Sequence, residues 1–335
     1  MALWEKHWSE EVARLAVWLA GLVPFETAAE ILRRVGQIAI SESSVWRRVQ
    51  RWGEEFKALE DAERKLANAL PRVVDSAAQR AEAKGRKGVA IDGTMIYILG
   101  EKWKECKLGC VFDVEVRDTH DAETDEFVER AHAVNISYTA HLGGPERLGE
   151  LLWTEAKRCG WEQTRETQAL GDAAPWIWGI VQDYFFDSRP LVDWYHGTEH
   201  LASNARLLHG EGTLAATRWY NAQKKVLFQG HAQRVSQTLA DAAKMHQNLA
   251  SDLTREARFF ERNHRRMNYL ETREEGWLIG SGVVESAAKQ YKARLAGPGM
   301  HWSRTCAERM LPVRSALLSG RFDAIWNRVY NSPQN

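Results

Sequence analysis

Three carboxylates stand where an ordinary fold has little use for them. Asp92 lies inside the apolar run G-V-A-I-D-G-T-M-I-Y-I-L, directly before Gly93. An acid inside a strand is costly unless it is paired or binds a cation. Asp172 ends a second short apolar run, T-Q-A-L-G-D, and is followed by A-A-P-W. Glu285 opens a helix behind the Gly280-Ser281-Gly282 turn. Strand ends and helix starts are where α/β folds place ligand groups. Three converging acids would supply the oxygen ligands that a hard divalent cation needs. Two such ions, about 3.5–4 Å apart, can activate a nucleophile and stabilise the leaving oxygen in phosphodiester chemistry. Each acid also has a plain reading: a turn residue before glycine, a helix cap, and a first-turn partner of the helix dipole. A two-carboxylate glycosidase would use the same residue types. The bases that follow Glu285 argue for phosphate instead, with Lys289 one turn on, Lys292 two turns on and Arg294 beyond.

The elements that must carry these acids follow from periodicity. Residues 1–70 read as helical. Val12, Leu15, Ala16, Leu19 and Leu22 follow helical spacing up to Pro24, and Thr27 caps a second helix that stops at Gly36. A basic third helix, S-S-V-W-R-R-V-Q-R-W, carries Val45, Val49 and Trp52 on one face. Two short helices, a glycine turn and a basic helix suggest a helix-turn-helix unit, with Ser43, Ser44, Arg47 and Arg51 as its DNA contacts. A plain helical linker has the same pattern.

From residue 88 the pattern is of strands: a hairpin over 88–115, a third strand near 132–140, a helix from Pro145 to Cys159, a strand ending at Asp172, a helix from Pro175 and a fifth strand ending near Asp193. This is an α/β order compatible with a mixed sheet. Residues 197–272 carry helical signals with few strand signals, so they read as an α-helical insertion ahead of the glycine turn. The end, 321–335, reads as a tail.

At 335 residues with zero formal net charge, bulk electrostatics do not suggest a polyanion partner. The distribution does: residues 86–195 hold 12 basic and 20 acidic side chains, and residues 196–335 hold 20 and 12. An acidic middle and a basic end suit a carboxylate centre beside a polyanion surface. Two ordinary domains that attract each other would show the same asymmetry. No apolar stretch of membrane-spanning length occurs, and M-A-L-W-E-K-H-W lacks the features of a secretory signal. Cys106, Cys110, Cys159 and Cys306 form no C-x-x-C pair. A cytoplasmic protein with reduced, packed thiols, two of them (Cys106 and Cys110) on one face of a strand, is the expectation.

The motifs D-G-T at Asp92, L-G-D-A-A-P-W-I-W at 170–178, V-D-W-Y-H at 192–196 and G-S-G-V-V-E-S-A-A-K-Q-Y-K-A-R-L-A-G-P-G-M-H-W at 280–302 together resemble the DDE transposases of bacterial insertion sequences. The chain is most similar to the ISKra4 family, over most of residues 20–320. The resemblance implies a ribonuclease H-like catalytic core, formed by residues 71–196 and 273–320 and interrupted by the helical insertion. It implies that Asp92, Asp172 and Glu285 hold two Mg²⁺ (or Mn²⁺) ions, with Asp92 bridging them. Asp193 competes with Asp172 for the second place. His196, in the D-x-x-H segment, would contact phosphate, and Lys289, Lys292 and Arg294 the DNA backbone. Met300, His301 and Trp302 would stack on bases or pack in the core. The partners implied are double-stranded DNA, as element terminal repeats and target, and a second copy of the chain, in a nucleoid-associated setting. Members of the family often carry more sequence before the helical segment, so an N-terminally shortened or domesticated copy is one expectation. Another ribonuclease H-like nuclease and an inactive, transposase-derived DNA-binding protein are the competing readings.

Overall fold

Burial along strand β1 (Arg86–Ile98) changes character halfway. Gly88 to Ile91 are buried without interruption, whereas from Thr94 onward burial alternates. A strand covered on both faces gives the first pattern and one open on one face gives the second. Asp92 sits at the change. The computed structural model describes residues 8–69, 85–121 and 125–331. Its strands β1, β2 (Lys102–Asp121), β3 (Glu126–His141), β4 (Glu166–Gly171) and β5 (Arg189–Val192) form one mixed sheet in the order β3-β2-β1-β4-β5. The first three are an antiparallel meander; β4 and β5 run parallel to β1. The α/β expectation is thus met in its coarse form.

The hairpin strands run longer than their hydrophobic pattern suggests. Beyond Asp113, β2 pairs with β3 alone, and the charged residues of this stretch follow from a two-stranded ribbon with little to bury. The ribbon bends at a bulge between Val111 and Asp113. Opposite it, Asn135 takes a positive φ of 51° and donates from Nδ2 to Asp113 Oδ2 at 2.8 Å.

Helices cover both faces of the sheet. Helices α1 (Glu10–Leu22), α2 (Phe25–Arg34) and α3 (Glu42–Ala67) precede it; α4 (Pro145–Arg158) and α5 (Pro175–Tyr184) lie between its later strands. A helical block follows: α6 (Trp194–His209), α7 (Leu214–Phe228), α8 (Ala232–Met245), α9 (Ala250–Asn263) and α10 (Tyr269–Glu274). The chain then returns through α11 (Gly282–Leu295), α12 (Arg304–Leu318) and α13 (Phe322–Tyr330). Helices α4 and α5 take the face that carries Gly109 and Gly171, where a Cβ would strike Leu152 and Ile177 respectively. Helix α11 takes the face of Cys106 and Cys110, both buried as expected and free, with Tyr291 against them. The register pairs Asp92 with Leu108 and Ala90 with Cys110, so Asp92 points to the α11 face.

The N-terminal helices share one core with the sheet and the C-terminal helices. In α3 the expected stripe of Val45, Val49 and Trp52 is buried, continued by Phe56. In α1 the buried face is rotated from the leucine stripe to the small residues Ala13, Ala16, Val17, Ala20 and Gly21. Small side chains let α1 approach α12 closely, whereas Leu15 and Leu19 stay only partly buried at the margin. The boundary expected at residues 70 and 71 lies outside the described residues. The expected tail at 321–335 is corrected: Phe322, Trp326 and Val329 form a helical stripe, and Trp326 packs its ring 4.4 Å from that of Trp52. No helix among the described residues is long and apolar enough to cross a membrane.

Helix α3 meets α12 at Gly53, where an added Cβ would fall 2.4 Å from the Arg309 carbonyl oxygen. Gly53→Ala would gain up to about 1 kcal/mol of helix propensity but must push two backbones apart. We expect a net loss of about 1–2 kcal/mol in urea unfolding. Gly179→Ala in α5, where nothing lies within 4 Å of an added Cβ, should instead gain about 0.5–1 kcal/mol.

Candidate functional site

The last registered row across the three parallel strands is Ile91, Gly171 and Val192. The next residue on each strand is an aspartate: Asp92, Asp172 and Asp193. Residues in one row of a parallel sheet project to the same face, so three aspartates leave the sheet together at its C-terminal edge. Helix α11 adds Glu285 from above β1. Asp92 is the most burdened of the four. Burial, then the charges of Asp172, Asp193 and Glu285, raise its pKa from 3.8 to about 6, while the Gly93 N–H donating to Oδ1 at 2.7 Å pulls it down.

The four acids are held in different ways. Asp172 accepts from the Ala174 N–H at 2.7 Å, which turns the chain into α5. Asp193, 6% exposed, uses both oxygens. Oδ1 caps α6 by accepting from the His196 N–H at 2.7 Å, and Oδ2 accepts from the Ser281 N–H. Its neighbours tighten the junction: the Asp193 N–H donates to the Gly171 carbonyl at 2.8 Å and the Trp194 N–H to the Ile279 carbonyl at 2.9 Å. Gly280 lets the turn pass close to the Tyr195 ring, since an added Cβ would stand 2.9 Å from it. Asp193 therefore ties the sheet to the start of α11, and this occupation separates it from Asp172 as a candidate ligand. Glu285 is half-exposed and pairs with Lys289 Nζ at 2.6 Å. Among the described residues, no three His, Cys, Asp or Glu side chains stand close enough to share one ion. Asp92, Asp172 and Glu285 are brought into electrostatic reach of one another rather than to a common point.

His196 joins the group from the first turn of α6. Burial, reinforced by His200, lowers its pKa, against the opposing pull of Asp172, Asp193 and Glu199. Its ring meets His200 edge-on at 4.9 Å, and His200 stacks on Phe259 at 3.7 Å while its Nδ1 meets Glu256 at 2.6 Å. This chain of contacts couples the carboxylate edge to α9. Tyr269, fully buried and within the field of Asp193, was not singled out by the sequence. The run Y-L-E-T-R offers no signal for it beyond an aromatic in a helix.

The expected DNA contacts separate into reachable and unreachable ones. Ser43 and Arg47 are exposed at the start of α3; Ser44 and Arg51 are half-buried, and Arg47 donates to Ser44 Oγ at 3.1 Å. Lys289 and Lys292 are exposed on α11. Arg294 is corrected: it is 2% exposed, donates from Nε to the Ala20 carbonyl at 2.6 Å, and lies over the rings of Phe25 and Trp302. The last carbonyls of α1 lack partners within the helix, and α1 has no base in its final turn. Arg294 and Arg314, which donates to the Gly21 carbonyl at 2.9 Å, satisfy them. Trp302 is corrected likewise. It is 5% exposed, its Nε1 donates to the Leu295 carbonyl at 2.8 Å, and its backbone bridges to Ile98 at the end of β1. Neither side chain can meet DNA in this arrangement.

Compared with known proteins, the chain matches no family model and no curated protein.

The two aspartates flanking Asp172 should respond oppositely to amidation in metal-free buffer. The folded pKa of Asp92 lies above its unfolded value, so its penalty is absent below about pH 4 and complete above about pH 6. At pH 7 it is worth on the order of 3 kcal/mol. Asp92→Asn keeps the Gly93 acceptor and loses the charge, so its thermal midpoint should rise. Asp193→Asn turns an amide N–H toward the Ser281 N–H, so its midpoint should fall by the equivalent of about 2 kcal/mol. A drop for Asp92→Asn would show that the cluster is not repulsive.

Proposed function

We propose that this protein is a DNA transposase of the DDE type that cleaves phosphodiester bonds and transfers strands with two divalent cations. The observation that carries the reading is the row of carboxylates at the C-terminal edge of the parallel strands, faced by Glu285. Three acids around a desolvated Asp92 leave negative charge for which the described residues offer one ion pair, Lys289 at Glu285. A hard cation with oxygen ligands fits that donor set. An antiparallel meander continued by two parallel strands, with a helical block placed before the last acid, supports the ribonuclease H-like form of the α/β fold.

In this reading Asp92, Asp172 and Glu285 would hold the ions, and Asp193 fixes the start of α11, which carries Glu285 within the field of Asp92. Ions held there would supply activation of the attacking hydroxyl and charge stabilisation at the departing oxygen. Lys289 and Lys292, one and two turns beyond Glu285, present charge to the phosphates flanking the scissile bond. His196, whose pKa burial lowers, would donate a ring N–H to a phosphate oxygen. Ser43 and Arg47 on α3 would grip the terminal repeat, and a second copy of the chain would hold the other element end.

The experiment uses DNA bearing the repeats that flank the coding region, with Mg²⁺ or Mn²⁺. Asp92→Asn, Asp172→Asn and Glu285→Gln should each lower cleavage and strand transfer by about 10³-fold or more, as expected for losing several kcal/mol of charge stabilisation. Mg²⁺ should raise the thermal midpoint of the native chain and leave that of Asp92→Asn unmoved. Normal strand transfer by any one variant removes that residue from the centre. Cleavage without joining to a 3′-hydroxyl end would indicate a nuclease, and binding without cleavage an inactive DNA-binding protein.

A further inference from the structure

A groove with a cavity volume of about 1270 Å³ runs between α5 and α9. Its lining includes Ala173 and Pro175, which follow Asp172 in the chain. Its α9 wall carries Arg255, Arg258, Arg262 and, one turn past the helix, Arg266. Spacings of three, four and four place them on one helical face. Arg255 is paired with Asp252 at 2.9 Å. Among the described residues Arg258, Arg262 and Arg266 make no ion pair. Like charges at this spacing repel, so the stripe weakens its own helix unless an anion neutralises it.

The opposite wall is aromatic and open. Phe186 is 66% exposed. Trp178 is 7% exposed, its Nε1 has no hydrogen-bond partner, and the Arg266 guanidinium lies 4.2 Å over its ring. Gly179 sits between these in α5, where an added Cβ would meet nothing. A glycine inside a helix costs stability relative to alanine, and no packing contact requires this one. Its effect is to leave the α5 side of the groove bare.

We propose that this groove carries an unpaired DNA strand leaving the carboxylate site, with phosphates along the arginine stripe and bases toward Phe186. From Arg255 to Arg266 the stripe spans roughly 16 Å, long enough to meet several successive phosphates of one strand. A cationic wall facing an aromatic one is the arrangement that binds single strands without reading sequence. A duplex would present phosphates to both walls and leave the aromatic one without bases to stack. The inference rests on the transposase reading for its choice of DNA, and its test needs no catalysis.

Fluorescence anisotropy in EDTA, with a labelled oligothymidylate and a duplex of equal length, measures affinity against salt. Arg258→Ala and Arg262→Ala, both exposed and unpaired, should keep the native thermal midpoint. Each should flatten the single-strand salt slope by about 0.7. Gly179→Glu, which meets no steric obstacle, should weaken single-strand binding by about tenfold or more. Phe186→Ala should weaken it with the slope unchanged, as loss of one stacked base predicts. Unchanged affinity and slope in all four variants would overturn the proposal. So would losses confined to the duplex probe, or a polyglutamate peptide that binds the native chain where oligothymidylate does not. If the groove variants lose strand binding while no cleavage is found with any metal, the groove stands and the transposase reading falls. If cleavage is intact and strand binding ignores the groove, the reverse holds.

Discussion

Both oxygens of Asp193 accept backbone N–H groups, one at the start of α6 and one in the turn that starts α11, 88 residues later. The geometry of the candidate site depends on that double contact. Without it, the first turn of α11, which carries Glu285, would lose its tie to the end of β5. The tie also explains how a five-helix block can stand between β5 and α11 without disturbing the edge. Its two ends are pinned together by Asp193 and by the Trp194–Ile279 backbone bond, so the block is closed off at its base. Loop-closure entropy grows only slowly with length, which makes a long excursion from a pinned base tolerable.

The same edge is where the fold gives up stability. Asp92 is desolvated, surrounded by like charges and helped by a single N–H. Cores dispose of such groups by pairing or protonation; here the pairing bases are elsewhere. Lys289 reaches Glu285 only, and Lys107, near the same strand pair, is taken by Glu105 and lies over the Trp176 ring. The repulsion therefore remains unrelieved by the described side chains around Asp92. This supports the cation-dependent reading more directly than the identity of the acids does.

The strands and helices that build this edge were legible in the sequence because their periodicity is strong. Val45, Val49 and Trp52 mark the inner face of α3, and Cys106 and Cys110 share the α11 face of β2 as a spacing of four in a strand requires. The three proposed ligands were legible as misfits, an acid inside an apolar strand being the clearest. Other features were not visible because they depend on contacts distant in sequence. Leu15 and Leu19 looked like the core face of α1, but a partner helix that fits close favours the alanine face. Phe322 and Trp326 looked like a tail because their helix has few residues, and its partner, Trp52, lies far back in the chain. The role of Asp193 was hidden for the same reason: an N-cap is local, whereas its second oxygen serves a turn that no local pattern connects to it.

The bases show how an electrostatic inference survives while its residues change. An acidic middle and a basic end suggested a polyanion surface beside a carboxylate centre, and the bases behind Glu285 were the natural place for it. In the folded chain Arg294 and Arg314 are consumed by the carbonyls that end α1. A helix C-terminus carries partial negative charge, so these guanidinium groups serve as its cap and tie α1 to α11 and α12. Burial then prevents them from serving a second anion, and for Arg294 it lowers the pKa to about 10. The basic surplus is not thereby lost. It passes to side chains that make no ion pair among the described residues, Lys292 on α11 and Arg258 and Arg262 on α9. These lie on either side of the carboxylate edge, reached through α11 in one direction and through His196, His200 and Phe259 in the other. On the proposed reading, a polyanion that touched both would come near the four acids, where a bound cation would offset the repulsion.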